Sequence, residues 1–167
     1  MGPSPPAPDQ NKTFEEQLKE ARKRTERFVN VRDRSSAELE FRLKIAGFSE
    51  SVIECEVKNA LSVGLVDDER FTRLYVEGKK RSGWGQNRIV SELRRFGIEI
   101  KNCEGYPERF FDEEEELKRA QECLRRFNST AKNQQAAFYR RLVSKGFSME
   151  ISQKAVKTDP RSQHLSG

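Results

Sequence analysis

Apolar residues along this 167-residue chain recur three and four apart rather than in alternation. Thr13-x-x-Glu16 has the form of a capping box. Behind it Phe14, Leu18, Ala21, Phe28 and Val29 fall on roughly one helical stripe. Ser35-x-x-Glu38 opens a second helix carrying Leu39 and Leu43. Ser49 is placed to cap a third, through Ile53, Val57, Ala60 and Leu61, closed by Gly64. The next helix starts from Asp67 or Asp68, where acids suit an N-terminus, and turns Phe71, Leu74 and Tyr75 inward. "RSGWG" ends it and leads into a helix marked by Ile89 and Leu93. "EIKNCEGYPERF" reads as a short, poorer helix broken by Gly105 and Pro107. Beyond Asp112, a further cap, Leu117, Ala120, Leu124 and Phe127 recur at helical spacing. Thr130 or a neighbour restarts the chain, and Ser148 caps a last helix through Ile151 and Ala155. No stretch sustains a period of two, so the fold class is all-α.

The pattern repeats. "SSAELEFRLKIAGFS", "GQNRIVSELRRFGIE" and "QQAAFYRRLVSKGFS" align on Gly47, Gly97 and Gly146, which lie 50 and 49 residues apart. Leu39, Ile89 and Phe138 then coincide, as do Leu43, Leu93 and Leu142. Each glycine is followed by an apolar residue: Phe48, Ile98 or Phe147. An apolar pair four apart, then glycine and an apolar residue, is the grammar of a helix ending in a left-handed C′ residue with a fold-back contact. Three tandem three-helix repeats follow, over residues 13–65, 66–111 and 112–157. A disordered Pro-rich tail is expected over 1–12 and a frayed tail over 158–167. Units this small bury little alone and lean on their neighbours. The array is expected to be elongated and curved, a geometry that favours binding over catalysis.

Composition narrows the chemistry. Charged residues make up 35% and the hydrophobic set 34%, with 32 Lys and Arg against 27 Asp and Glu. The isoelectric point near 9.2 admits a nucleic acid or an acidic protein surface as partner, without choosing between them. Cys55, Cys103, Cys123 and His164 are scattered, with neither zinc-type spacing nor a disulfide framework. No apolar run approaches the ~18 residues that span a bilayer, and "MGPSPPAPDQ" lacks the plan of a secretory signal. The expectation is a cytoplasmic protein without membrane contact. Gly78 and Gly83 have phosphate-loop separation, but Trp84-Gly85 stands where Lys-Ser/Thr is required. The acids at 67–69 read better as helix caps than as metal ligands, because adjacent helix residues fan out around the axis. No catalytic residue, cofactor or metal is expected.

The basic residues say more. Lys79, Lys80, Arg81, Arg88, Arg94 and Arg95 gather around Trp84, and Arg140, Arg141 and Lys145 decorate the third repeat. Such faces meet phosphates or carboxylates; equally, they are solvated surfaces with i,i+4 ion pairs. Trp84, between Gly83 and Gly85, has two readings as well. One is a platform on which a base stacks. The other, which suits its place between two helices, is a wedge fixing the corner, with Gly83 ending one helix and Gly85 letting the next approach closely.

Residues 64 to 98, "GLVDDERFTRLYVEGKKRSGWGQNRIVSELRRFGI", resemble the signature region of the RecX family of regulators of the bacterial RecA recombinase. The resemblance covers about residues 15 to 157. It rests on D-D-x-R-F at Asp67, Asp68, Arg70 and Phe71, followed by G-W-G-x-x-R-I at Gly83, Trp84, Gly85, Arg88 and Ile89. Family members often have proline after the second glycine, where this chain has Gln86. The resemblance implies an all-helical monomer of tandem repeats without enzyme activity. Such proteins sit in the groove of the RecA filament and restrain its ATP hydrolysis, strand exchange and extension in recombination, repair and the SOS response. Some also contact DNA, so single- or double-stranded DNA is the second implied partner. Two rival readings stand beside it: a direct DNA binder, since three-helix units with a glycine turn mimic helix-turn-helix modules, and a scaffold for another acidic partner.

Overall fold

The computed structural model describes residues 12–163, and among them there is no strand. In chain order the helices are α1 (Phe14–Val29), α2 (Ser36–Ile45), α3 (Glu50–Ser62), α4 (Asp68–Arg81), α5 (Gln86–Arg95), α6 (Glu113–Arg125), α7 (Gln134–Lys145), α8 (Met149–Thr158) and α9 (Pro160–Gln163). The protein is all-α. Except for Lys12, the Pro-rich tail expected over 1–12 lies outside the described residues, as does His164. No described helix is long and apolar enough to cross a membrane.

The chain divides into two compact units. One comprises the described residues up to Thr72 with Phe96–Ile98; the other comprises Arg73–Arg95 and Glu99 onward. In the first unit α1, α2 and α3 enclose Ala21, Leu39, Leu43, Phe48, Val52, Ile53, Ala60 and Val66. Each fully buried leucine among these contributes about 2 kcal/mol. Both capping boxes form, at Thr13–Glu16 and Ser35–Glu38. Gly47 takes φ 88°, and the Phe48 amide returns to the Leu43 carbonyl at 3.3 Å. Ser49 stands at the start of α3, but its hydroxyl meets Ser51 Oγ instead of capping the helix.

In the second unit α6, α7 and α8 pack around Ala120, Leu124, Phe138, Leu142, Phe147, Ile151, Ala155 and Val156. Asp112, Asn133 and Ser148 cap the three helices through their side chains, so α7 restarts from Asn133 rather than Thr130. The weak third helix of the middle repeat is a single 3₁₀ turn, Ile100–Asn102, followed by turns around Gly105. Buried Ile100, Phe110 and Phe111 anchor this irregular stretch.

Two further expectations need correction. Leu74 does not face inward: it is 48% exposed, while Phe71, Thr72 and Val76 are buried. At 100° per residue those three share one arc of α4, and Leu74 points away from it. The chain beyond Thr158 does not fray at once. It forms α9, held by Arg161, which donates to the carbonyls of Leu124 (2.8 Å) and Phe127 (3.0 Å), pairs with Asp159 and lies over the Phe138 ring.

Candidate partner-binding surface around Trp84

In the second unit, α4 ends where Gly83, at φ 74°, returns its amide to the Lys80 carbonyl at 2.9 Å. α5 then begins without a side-chain cap of its own, since Gly85 accepts the Ile89 amide with its carbonyl and has no side chain. Its free amides find acceptors elsewhere in the unit. Gly85 N–H donates to the Lys145 carbonyl (2.9 Å) and Asn87 N–H to the Gly146 carbonyl (2.9 Å). Between them, Gln86 N–H donates to Glu116 Oε1 at 2.8 Å. Three donors that a helix start leaves orphaned are thereby satisfied. The carbonyl end of α7 also faces the amide end of α5, a favourable alignment of helix dipoles.

This approach leaves no room for Cβ atoms. One built on Gly85 would lie 2.2 Å from Phe147 N, and one on Gly146 would lie 2.2 Å from Arg88 Cβ and 2.6 Å from its amide. Gly85 thus allows a close approach to the corner between α7 and α8.

Trp84 is half-buried. The Arg88 guanidinium lies 3.9 Å from its ring centroid and the Lys79 ammonium 4.4 Å, geometry for cation–π attraction. Lys79 also lies 5.1 Å from the Tyr75 ring. Of the basic residues picked out in the sequence, these two gather at Trp84, and the rest disperse. Lys80 is mostly covered, with Glu77 at 3.3 Å and Glu115 at 3.8 Å. Arg94 pairs with Glu99 (2.8 Å) and Arg95 with Glu92 (3.2 Å), both on open surface. Arg81 and Arg140 are exposed. Arg141 is half-buried with its guanidinium over Phe127, and Lys145 is half-buried beside the α5 contact.

Glu116 is the residue that sequence reasoning missed. It is 3% exposed, and burial pushes its carboxyl above the ordinary range, opposed by the Gln86 amide and by the charges of Arg119 and Lys80. Arg119 stands 3.2 Å away. The run "DEEEE" hid it as one more helix-start acid. Its signal was position: Glu116, Ala120 and Leu124 form one buried stripe at four-residue spacing.

A counterpart arrangement lies within the first unit, at the start of α2. Ser35 Oγ donates to the Phe96 carbonyl (2.7 Å). Ser36 donates to Asp68 with both its amide (2.7 Å) and its hydroxyl (2.6 Å). Asp67 caps α4 by accepting the Arg70 amide (2.8 Å), and Arg70 reaches Asp33 at 2.9 Å. Phe71 meets Phe96 edge to face at 5.5 Å between centroids. A Cβ on Gly97 would lie 2.4 Å from Ala37 Cβ. The D-D-x-R-F residues therefore join α4 to α2.

Residues 67–100 match the second three-helix domain of RecX. Over 141 residues the chain is 29% identical to the regulatory protein RecX of Caldanaerobacter subterraneus subsp. tengcongensis, covering 84% of this chain and 71% of that one. It is 35% identical over 97 residues to the regulatory protein RecX of Mycobacterium sp. (strain JLS), covering 58% and 51%. The crystal structure of RecX from Lactobacillus salivarius superimposes with a TM-score of 0.73 at 18% identity, over 90% of this chain and 99% of that one. That of a second regulatory protein RecX gives 0.73 at 20% identity, over 87% and 74%. At such identity these two structures speak for the fold. The resemblance to the RecX family holds in both sequence and fold, and the relatives are named as regulatory proteins.

Proposed function

We propose that this chain, a relative of the RecX regulatory proteins, is a non-enzymatic regulator that binds the RecA recombinase filament in the cytoplasm. There it restrains ATP hydrolysis, strand exchange and filament extension. The observation that carries this reading is that the match to RecX, residues 67–100, coincides with the basic corner between α4 and α5. Lys79 and Arg88 over Trp84, with exposed Arg81 and Arg95 nearby in sequence, offer positive charge to an acidic filament surface or to DNA held within it.

The test is DNA-stimulated ATP hydrolysis by RecA, with this protein added at substoichiometric ratios. The expected result is a progressive fall in rate, weakened when Arg88, Arg94 and Arg95 are reversed in charge together. An unchanged rate at every ratio defeats the regulatory reading, and full inhibition by the triple variant defeats the placement of its surface. Binding to DNA alone, titrated against salt, separates the rival reading. A steep log–log slope with sequence preference is the mark of a direct DNA binder.

A further inference from the structure

We infer that Glu116 is a positioning residue for partner binding: its buried carboxylate holds the first amide of α5 and so sets the direction in which Arg88 and Arg95 leave that helix. The inference rests on the reading of the α4–α5 corner as the binding surface.

Three observations support it. The bond from Gln86 N–H to Glu116 is short, at 2.8 Å, and the carboxylate is 3% exposed, so water has little access to replace it. Nothing within α5 takes over. Gly85, the residue ahead of it, has no side chain to accept with, and the Arg88 guanidinium can only donate. Finally, the arrangement occurs twice. Ser36 and Gln86 lie 50 residues apart, the same interval as Gly47 and Gly97, and each is the first residue of its helix. Each gives its amide to a carboxylate from the helix that opens the following repeat, Asp68 of α4 or Glu116 of α6. The local sequences differ, yet the same acceptor reaches the same amide. An acid on the first helix of one repeat therefore fixes the middle helix of the repeat before it.

The same bond orients the charges. Arg88 follows two residues after Gln86, and its guanidinium rests over Trp84. Arg95 lies seven residues further along the same face of α5. Freeing the first amide lets the opening turn fray, and Arg88 is in that turn.

The experiment uses the full chain in four variants. Glu116→Gln keeps an acceptor oxygen. Glu116→Leu suits the apolar stripe but offers none. Gln86→Pro removes the donor while preserving a favoured first-turn residue, and Gln86→Pro/Glu116→Leu combines the two. Hydrogen exchange across residues 86–90 and the concentration giving half-inhibition of RecA ATP hydrolysis are both measured. In Glu116→Leu both should rise about fivefold, the scale of a lost helix cap, whereas Glu116→Gln stays near the parent. In the Gln86→Pro background, adding Glu116→Leu should change neither, because no amide is left to lose. Unchanged exchange in a folded Glu116→Leu protein overturns the inference whatever RecA does. Faster exchange with unaltered half-inhibition overturns the link to binding. If the parent protein leaves RecA untouched, the regulatory reading is what fails, and with it the binding role of Glu116; the exchange data still decide whether Glu116 holds α5.

Discussion

The starts of α2 and α5 occupy equivalent places in successive repeats, yet they are held by different means. At α2, side chains do it: Ser35 closes a capping box with Glu38 and donates to the Phe96 carbonyl, and Asp68 takes both the amide and the hydroxyl of Ser36. At α5, main chain meets main chain, through Gly85 to Lys145 and Asn87 to Gly146, and Glu116 adds one carboxylate. A polar side chain is replaced at modest cost, because neighbours and water adjust. Two backbones in contact have no such freedom, since a packed interior transmits the strain instead of absorbing it. The α5 joint should therefore be the more brittle of the two, and it is the one beside the proposed binding surface.

The largest effect is expected from Gly146→Ala. The new Cβ meets the Arg88 backbone, and φ is 90°, so overpacking and left-handed strain combine to cost about 3 kcal/mol. Urea denaturation measures it. Gly97→Ala at the α2 joint meets a side chain, Ala37 Cβ, instead. Combining it with Ala37→Gly should remove the clash and leave two conformational costs, a left-handed alanine and a helical glycine, of about 1 kcal/mol each at most. No single side-chain deletion should rescue Gly146→Ala. If one does, the proposed difference between the joints is wrong.

Next in size come the side chains of the α2 joint. Ser35→Ala removes an N-cap and the bond to Phe96, and Asp68→Ala strands the Ser36 amide. Each is expected to lose about 1–2 kcal/mol, again by urea denaturation. Because the two sit side by side, the double variant should fall short of additivity. A loss below about 0.5 kcal/mol for Asp68→Ala, the ordinary range for surface changes, would show that this carboxylate is incidental to the joint.

These joints also mark what the sequence could and could not show. Repeat register, both capping boxes and the glycine corners are local patterns, readable from residues within a few turns of one another. The joints pair residues 30 to 61 positions apart through groups that read as something simpler. Asp68 looks like a cap for its own helix, but Asp67 does that, leaving Asp68 free for Ser36. Glu116 vanishes in an acidic run, betrayed only by sharing a stripe with Ala120 and Leu124. Basic residues clustered in sequence around Trp84 separate in space, because 100° per residue sends Arg94 to Glu99 while Arg88 stays on the ring. Arg161 was invisible, since its partners are backbone carbonyls that no sequence pattern announces.

The corners ahead of the two helices offer a smaller contrast. Arg34, just before Ser35, lies with its guanidinium 4.2 Å from the Phe28 ring centroid; Trp84, just before Gly85, is the ring, with Arg88 at 3.9 Å. Cation and ring have exchanged places. Trp84→Ala should lower stability by about 1 kcal/mol, from lost packing and two cation–π contacts, and Arg34→Ala by less. Thermal unfolding measures both. Abolished RecA inhibition with an unshifted midpoint would make the Trp84 ring a contact with the partner and not a corner piece.

The smallest effect separates the α5 joint by pH. Burial holds the Glu116 carboxyl above the ordinary value of 4.5, so the folded protein keeps that proton to higher pH than the unfolded chain does. Its contribution to stability is thus fully present below the ordinary value and is lost as pH rises through the raised one. Glu116→Gln, neutral throughout, should gain on the parent as pH climbs from about 4.5 toward neutrality. Glu56, fully buried in the first unit and pushed up by the same cause, drifts with the same sign; Asp159, held low by its bond to Arg161, drifts with the opposite sign at acid pH. Both are common to parent and variant and cancel in the difference. A flat difference between the two proteins would mean that water reaches the Glu116 carboxylate. The α5 joint would then lose the dry environment that lets a single side chain govern a helix start.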